Sequence, residues 1–134
     1  MDCPVCDKAM ITAEMHQVEV DYCPQCRGIW LDAGELEILL DDPQKAAGLV
    51  ASFQPAPAAA QTPRKCPICR KRMEIVEAGG SGALLLDRCR RQHGLWFDRG
   101  ELPALLERAS LDTDGHIRSH LKELFILNQG KESK

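Results

Sequence analysis

The chain has 134 residues and a net charge of −3, with only six aromatic side chains and seven cysteines, a composition that excludes one large apolar core as the main source of stability. An Ala/Pro-rich stretch, Ala46 to Pro63, divides it into pieces of about 45 and 70 residues, and pieces that small need disulfides, metals or partners to fold. The odd cysteine count and the absence of an apolar leader disfavour a secreted disulfide scaffold, and no run approaches the ~18 apolar residues of a membrane span.

The expected location is therefore cytoplasmic, with no membrane contact. Grouped thiols in that compartment stay reduced and serve as metal ligands or redox centres more often than as staples. The net charge hides an asymmetry: residues 1–62 carry three basic and ten acidic side chains, whereas residues 63–134 carry fourteen basic and ten acidic ones. The two halves present opposite fields to a partner.

Taken in order, the elements repeat. Cys3-Pro4-Val5-Cys6 opens the chain, and Gln17 to Tyr22 then alternates as a strand does, which predicts a hairpin between the first cysteine pair and Cys23-Pro24-Gln25-Cys26. His16 falls near its tip and is expected to be exposed. Gly28-Ile29-Trp30-Leu31-Asp32 leads into Gly34-Glu35-Leu36. An acidic residue with Glu three positions on reads as a capping box, and a short amphipathic helix over Ala33–Asp41 follows. The segment Gly48 to Pro63 lacks periodicity and reads as a flexible tether.

The same series then returns as Cys66-Pro67-Ile68-Cys69, a second hairpin with Gly79-Gly80-Ser81-Gly82 before Leu84, Cys89, Gly94-Leu95-Trp96-Phe97-Asp98 and Gly100-Glu101-Leu102. A second short helix is expected over Arg99–Ala109, with Pro103 as a difficulty, since at the fifth helical position it would delete a backbone bond. Ile117, Leu121, Leu124 and Phe125 lie at helical spacing and predict an extra C-terminal helix from Asp114 to about Gly130. Such a stripe belongs to a core or an oligomer seam more often than to a ligand site. His116 and His120 on it read as a polar face rather than a metal pair. The fold class is a small α+β zinc-bound chain: residues 1–45 and 64–109 are two ribbons of hairpin plus short helix, 46–63 the linker, and 110–134 the added helix and tail.

Cys3, Cys6, Cys23 and Cys26 form two Cys-x2-Cys turns separated by sixteen residues, a spacing that suits one tetrahedral zinc. Gly28, two past Cys26, is expected at positive φ so that amides can point at sulfur. In the second copy Gln92 stands where Cys26 stood, and His93 follows it. Imidazole reaches farther than a thiol and can absorb one extra residue, so the second set is Cys66, Cys69, Cys89 and His93. Two structural Zn2+ ions are thus expected. The competing reading of redox-active pairs fits poorly, because those sit singly at a helix start on a larger sheet.

The run from Cys23 to Leu36, Cys-Pro-Gln-Cys-Arg-Gly-Ile-Trp-Leu-Asp-Ala-Gly-Glu-Leu, preceded by Cys3-Pro4-Val5-Cys6, resembles the bacterial TFIIB-type zinc-ribbon family, also described as transcription factor zinc-finger domains. The resemblance covers residues 1–41, and 64–106 with the Cys-to-His departure. It implies a zinc-bound ribbon and a link to transcription.

The residues themselves point to a non-catalytic interaction module. Arg64, Lys65, Arg70, Lys71, Arg72, Arg88, Arg90 and Arg91 crowd the second ribbon's metal turns and suit phosphates or an acidic protein face. A protein partner is expected, nucleic acid is a second partner class through these cations, and the C-terminal helix offers a seam for an oligomer. Trp30 and Trp96 are expected as core rather than stacking platforms, and the Asp32/Glu35 and Asp98/Glu101 pairs as caps rather than an acid and base. The alternatives are a hydrolase with an open second zinc and a protein adaptor without nucleic-acid contact. No Gly-rich phosphate loop or Ser/His/Asp set is present for an enzyme to use.

Overall fold

A computed structural model describes residues 1–15, 17–40, 42–56, 62–78, 84–108 and 115–132; the expected exposure of His16 and the second hairpin's tip, 79–83, fall outside them. Each copy forms a hairpin and then a third strand. In the first copy these are β1 (Ile11–Met15), β2 (Val18–Tyr22) and β3 (Ile29–Asp32). In the second they are β5 (Glu74–Ala78), β6 (Leu84–Arg88) and β7 (Gly94–Phe97).

The two copies share one sheet. Its order is β1-β2-β3-β7-β6-β5-β4, with β4 the short strand Gln54–Pro55, and β3 pairs antiparallel with β7 so that Ile29 opposes Phe97, Trp30 opposes Trp96 and Leu31 opposes Leu95. Side chains alternate across a strand. Ile29 and Leu31 with Leu95 and Phe97 therefore enter the main core on one face, while Trp30 and Trp96 enter a second cluster with the cysteines on the other.

The helices cover the first face. α1 (Glu35–Leu40) buries Leu36, Leu39 and Leu40, and α3 (Glu101–Arg108) buries the corresponding Leu102, Leu105 and Leu106. Glu35 and Glu101 each reach back to the backbone N–H of Asp32 and Asp98, 2.7 Å in both copies, which is half of a capping box. The aspartates complete it differently from expectation, because each takes the indole N–H of the tryptophan two residues before it, at 2.7 Å for Trp30 and 2.9 Å for Trp96. Pro103 costs α3 nothing. Ala104 makes the helix's backbone bond to Gly100, so Pro103 is only the third helical residue, where the N–H has no intrahelical partner to lose.

The expected flexible tether is partly built structure. Asp42 caps α2 (Pro43–Ala51) by accepting from the Lys45 N–H at 3.1 Å, and Pro43 sits at the first helical position, where its fixed φ favours a helix start. Ala46 and Phe53 are buried, and β4 (Gln54–Pro55) pairs with β5 at the sheet edge. Residues 57–61 lie outside the description. The C-terminal helix α4 (His116–Glu132) returns Ile117 and Leu121 to the main core, with Leu124 and Phe125 against it. Among the described residues no helix is long and apolar enough to cross a membrane.

Candidate metal centres

The eight expected ligands come together in two sets of four. In Cys3, Cys6, Cys23 and Cys26, and again in Cys66, Cys69, Cys89 and His93, all ligand atoms lie within 4.8 Å of one another. Cys3 and Cys26 sulfurs are 3.5 Å apart, Cys69 and Cys89 sulfurs 3.8 Å, and His93 Nδ1 stands 3.4 Å from Cys89 and 3.8 Å from Cys66. A tetrahedron with zinc–ligand bonds of ordinary length has edges of about 3.5–3.8 Å. A disulfide would need about 2.05 Å. The donor sets fit two structural zinc ions, and the second has its fourth corner filled by imidazole.

Backbone amides prepare the sulfurs for negative charge. Val5 and Cys6 donate to Cys3 Sγ at 3.3 Å, Cys26 to Cys23 at 3.5 Å, Ile68 to Cys66 at 3.4 Å and Arg91 to Cys89 at 3.4 Å. Burial opposes this, pushing the Cys66 thiol up to about 11 and the Cys26 thiol well above its ordinary value. The Lys71 backbone N–H, by contrast, draws the Cys69 thiol down to about 7. Thiolates in the buried positions need a cation to hold them, which a structural zinc would supply.

The histidine is accommodated by an exchange within a turn of unchanged length. Cys23 N–H donates to Gly28 and Cys89 N–H to Gly94, five residues on in both copies. In the first copy the fourth turn residue, Cys26, is the ligand, and the fifth, Arg27, takes a left-handed φ of 61° and donates back to Cys23. In the second copy Gln92, the fourth residue, takes φ 63° and closes on Cys89 one residue earlier. His93 is then the fifth residue and turns its ring inward. The first cysteine pairs keep the common arrangement, with Asp7 and Arg70 left-handed just after the second thiol.

Gly28 corrects an expectation. It has no positive φ; Arg27 carries it instead. A β-carbon at Gly28 would collide with the indole ring of Trp96, and one at Gly94 would strike the Leu31 carbonyl and come within 2.7 Å of Trp30 Cζ2. Each glycine makes room for the other copy's tryptophan, so both metal sites border one cluster containing Trp30, Trp96, Met73 and the ligand cysteines. The tryptophans are completely buried and are not stacking platforms.

Opposite each tryptophan on the neighbouring strand lies a further aspartate, in addition to the Asp32/Glu35 and Asp98/Glu101 pairs expected as caps. Asp21 and Asp87 are both buried. Thr12 donates its hydroxyl to Asp21; Ile75 occupies the matching place opposite Asp87 and has no donor. Asp87 Oδ2 accepts from the Arg64 N–H at 2.8 Å, but Oδ1 has no partner among the described residues. Burial raises Asp87 to about 6 and Glu101 to about 7, and raises Glu35 as well.

Of the eight basic residues expected to form a binding face, three are engaged internally, Arg72 by donating to the Pro63 carbonyl at 3.2 Å. Arg88 pairs with Glu74 at 3.2 Å, and Arg64 approaches Asp98 at 3.7 Å. Lys65, Arg70, Lys71, Arg72, Arg90 and Arg91 are exposed. His116 and His120 join no cluster of metal-ligating residues among those described.

This geometry accords with the family comparison. The transcription factor zinc-finger model matches twice, over residues 2–42 and 65–108, and the chain belongs to that family. Comparison with curated proteins and with solved structures gave no significant match.

Proposed function

We propose that this protein is a non-catalytic interaction module, held by zinc at Cys3, Cys6, Cys23 and Cys26 and at Cys66, Cys69, Cys89 and His93, that binds nucleic acid in a transcription-related role. The observation that carries the reading is the retention of five exposed cations, Lys65, Arg70, Lys71, Arg90 and Arg91, around the second ribbon's metal turns after Arg64, Arg72 and Arg88 are engaged within the chain. Exposed cations without structural duty are the groups that release counterions on meeting phosphates. His93 beside two sulfurs supports a closed, structural site over a hydrolytic one, since a catalytic zinc keeps a position for water.

The test is binding of the zinc-loaded full chain to DNA and RNA across a salt series. Affinity should fall with salt by about one unit of log–log slope per phosphate contacted, and the Arg90→Ala and Arg91→Ala variants should each reduce that slope. Absence of any salt-dependent binding would overturn the nucleic-acid reading. Affinity capture with and without nuclease would then separate a direct protein partner from one bridged by nucleic acid.

A further inference from the structure

The antiparallel β3–β7 pairing sets the metal turn of each copy against the helix start of the other, and so creates two clefts related by the duplication. One lies between Arg27 and Ile29 of the first copy and Arg99, Gly100 and Pro103 of the second. Its counterpart is lined by Leu95 of the second copy and by Ala33, Gly34 and Glu37 of the first. In the constant register of the repeat, Leu95 answers Ile29, Ala33 answers Arg99 and Glu37 answers Pro103.

The two clefts differ in charge. The counterpart mixes the acids Asp32, Glu37 and Glu74 with Arg88 and Arg90, and Arg88 is already paired to Glu74. The first cleft is bounded on one side by α4, open to solvent, and has a volume of about 490 Å³. Among its described lining residues there are four cations, Arg27, Arg99, Arg118 and Lys122, and no acid. Arg118 meets Glu107 at 3.9 Å, and the Arg27 guanidinium lies 5.8 Å from the centre of the Phe125 ring. Arg99 and Lys122 are exposed and form no ion pair among the described residues.

Below the cations the wall is apolar, formed by Ile29, Pro103, Leu121 and Phe125. The fold alone does not require this charge, because the duplicated cleft lacks it. We infer that the cleft under α4 is a binding site for a small organic phosphate of nucleotide size, with the phosphate among the arginines and lysine and the less polar body against the apolar wall. Three of the four cations are arginine, whose planar fork matches phosphate oxygens, and the volume lies within the range of small-ligand pockets. This site is separate from the cations around the second ribbon's metal turns, so it does not depend on the nucleic-acid reading.

The experiment is calorimetric titration of the zinc-loaded full chain with adenosine monophosphate, adenosine, inorganic phosphate and a 5′-phosphorylated oligonucleotide. Adenosine monophosphate should bind saturably at about 0.1 mM, with adenosine and inorganic phosphate each about tenfold weaker or more. The double variant Arg99→Ala/Lys122→Ala should weaken the monophosphate by at least about tenfold, at unchanged zinc content and melting temperature. Arg90→Ala, on the counterpart cleft, should leave that affinity unaltered. No saturable binding of the monophosphate, or an affinity that the double variant leaves intact, would overturn the assignment. Oligonucleotide binding that ignores Arg99 and Lys122, without monophosphate binding, would overturn it too and place the phosphate contacts elsewhere.

Discussion

Gly28 of the first ribbon lies so close against the indole of Trp96 in the second that a β-carbon there would overlap the ring. The reciprocal contact joins Gly94 to Trp30, and between them the two residues opposed across β3 and β7 form the common wall of both metal sites. The two ribbons are therefore one folding unit as far as this seam is concerned.

Gly28→Ala and Gly94→Ala should each destabilise the zinc-loaded protein by about 2–4 kcal/mol, at or beyond the upper end of overpacking costs, because the tryptophans are fully buried. Gly94→Ala is expected to be the worse, since the Leu31 carbonyl it would strike is backbone and cannot rotate away. Chemical denaturation measures this. A cost below about 0.5 kcal/mol for both, the range of ordinary surface changes, would mean that the seam does not hold the ribbons together.

Metal content should couple to that seam. His93→Ala is expected to lose one of two zinc equivalents and to loosen the second ribbon, because a three-sulfur set would remain. Chelation should unfold the chain, structural zinc being worth about 10–16 kcal/mol of apparent binding energy in small peptides. Elemental analysis with circular dichroism reads both outcomes. Two retained equivalents in the alanine variant would show that His93 is not a ligand.

Glu101 predicts a pH dependence with a definite sign. Burial holds its folded-state value near 7, above the ordinary carboxylate value of the unfolded chain. The folded state therefore binds the extra proton in the window between, and this contribution to stability is fully present at low pH and lost as pH rises through about 7. Glu101→Gln keeps an oxygen for the Asp98 N–H and removes the charge. At pH 8 it should be more stable than the parent by roughly 1 kcal/mol, discounted for the residue's remaining solvent contact, and the advantage should disappear near pH 5. Urea titrations at the two pH values decide it. Acid release of zinc, common to both proteins, cancels in the comparison.

The buried aspartates offer an internal control. Thr12→Val removes the hydroxyl that Asp21 accepts from and recreates the Ile75–Asp87 situation in the first ribbon. It should cost about 1–3 kcal/mol at neutral pH, the penalty of an unsatisfied buried acceptor. The reverse change, Ile75→Thr, should lower the Asp87 value from about 6, a shift that carbon-detected NMR titration would follow. An unmoved Asp87 would place its elevation elsewhere than in the missing donor.

Much of the metal chemistry was legible because it is local. Cysteine spacing depends on turn geometry within a few residues, and the leucine triplets of α1 and α3 follow helical spacing. The reach of His93 was legible too, although the compensating exchange with Gln92 was not, since it lies in a backbone angle rather than in a residue type. What escaped was the pairing of β3 with β7. A buried apolar stretch between a metal turn and a helix reads as a lead-in, and its partner strand lies more than sixty residues away. The available signal was a glycine two residues before tryptophan in both copies, a small residue reserved for a large one. α2 was missed for a different reason: alanine and proline content suggested a tether, while Asp42-Pro43 already spelled a capped helix start.

The antiparallel meeting of β3 and β7 also has a kinetic meaning. A lone ribbon would leave that strand's hydrogen-bonding edge open and would find its mate only by collision, at a rate set by protein concentration. Written twice in one chain, the encounter becomes intramolecular, with an effective concentration on the order of millimolar. Halves that cannot be parted by dilution need not stay alike, and here one keeps four thiolates while its sister takes an imidazole and gathers most of the positive charge.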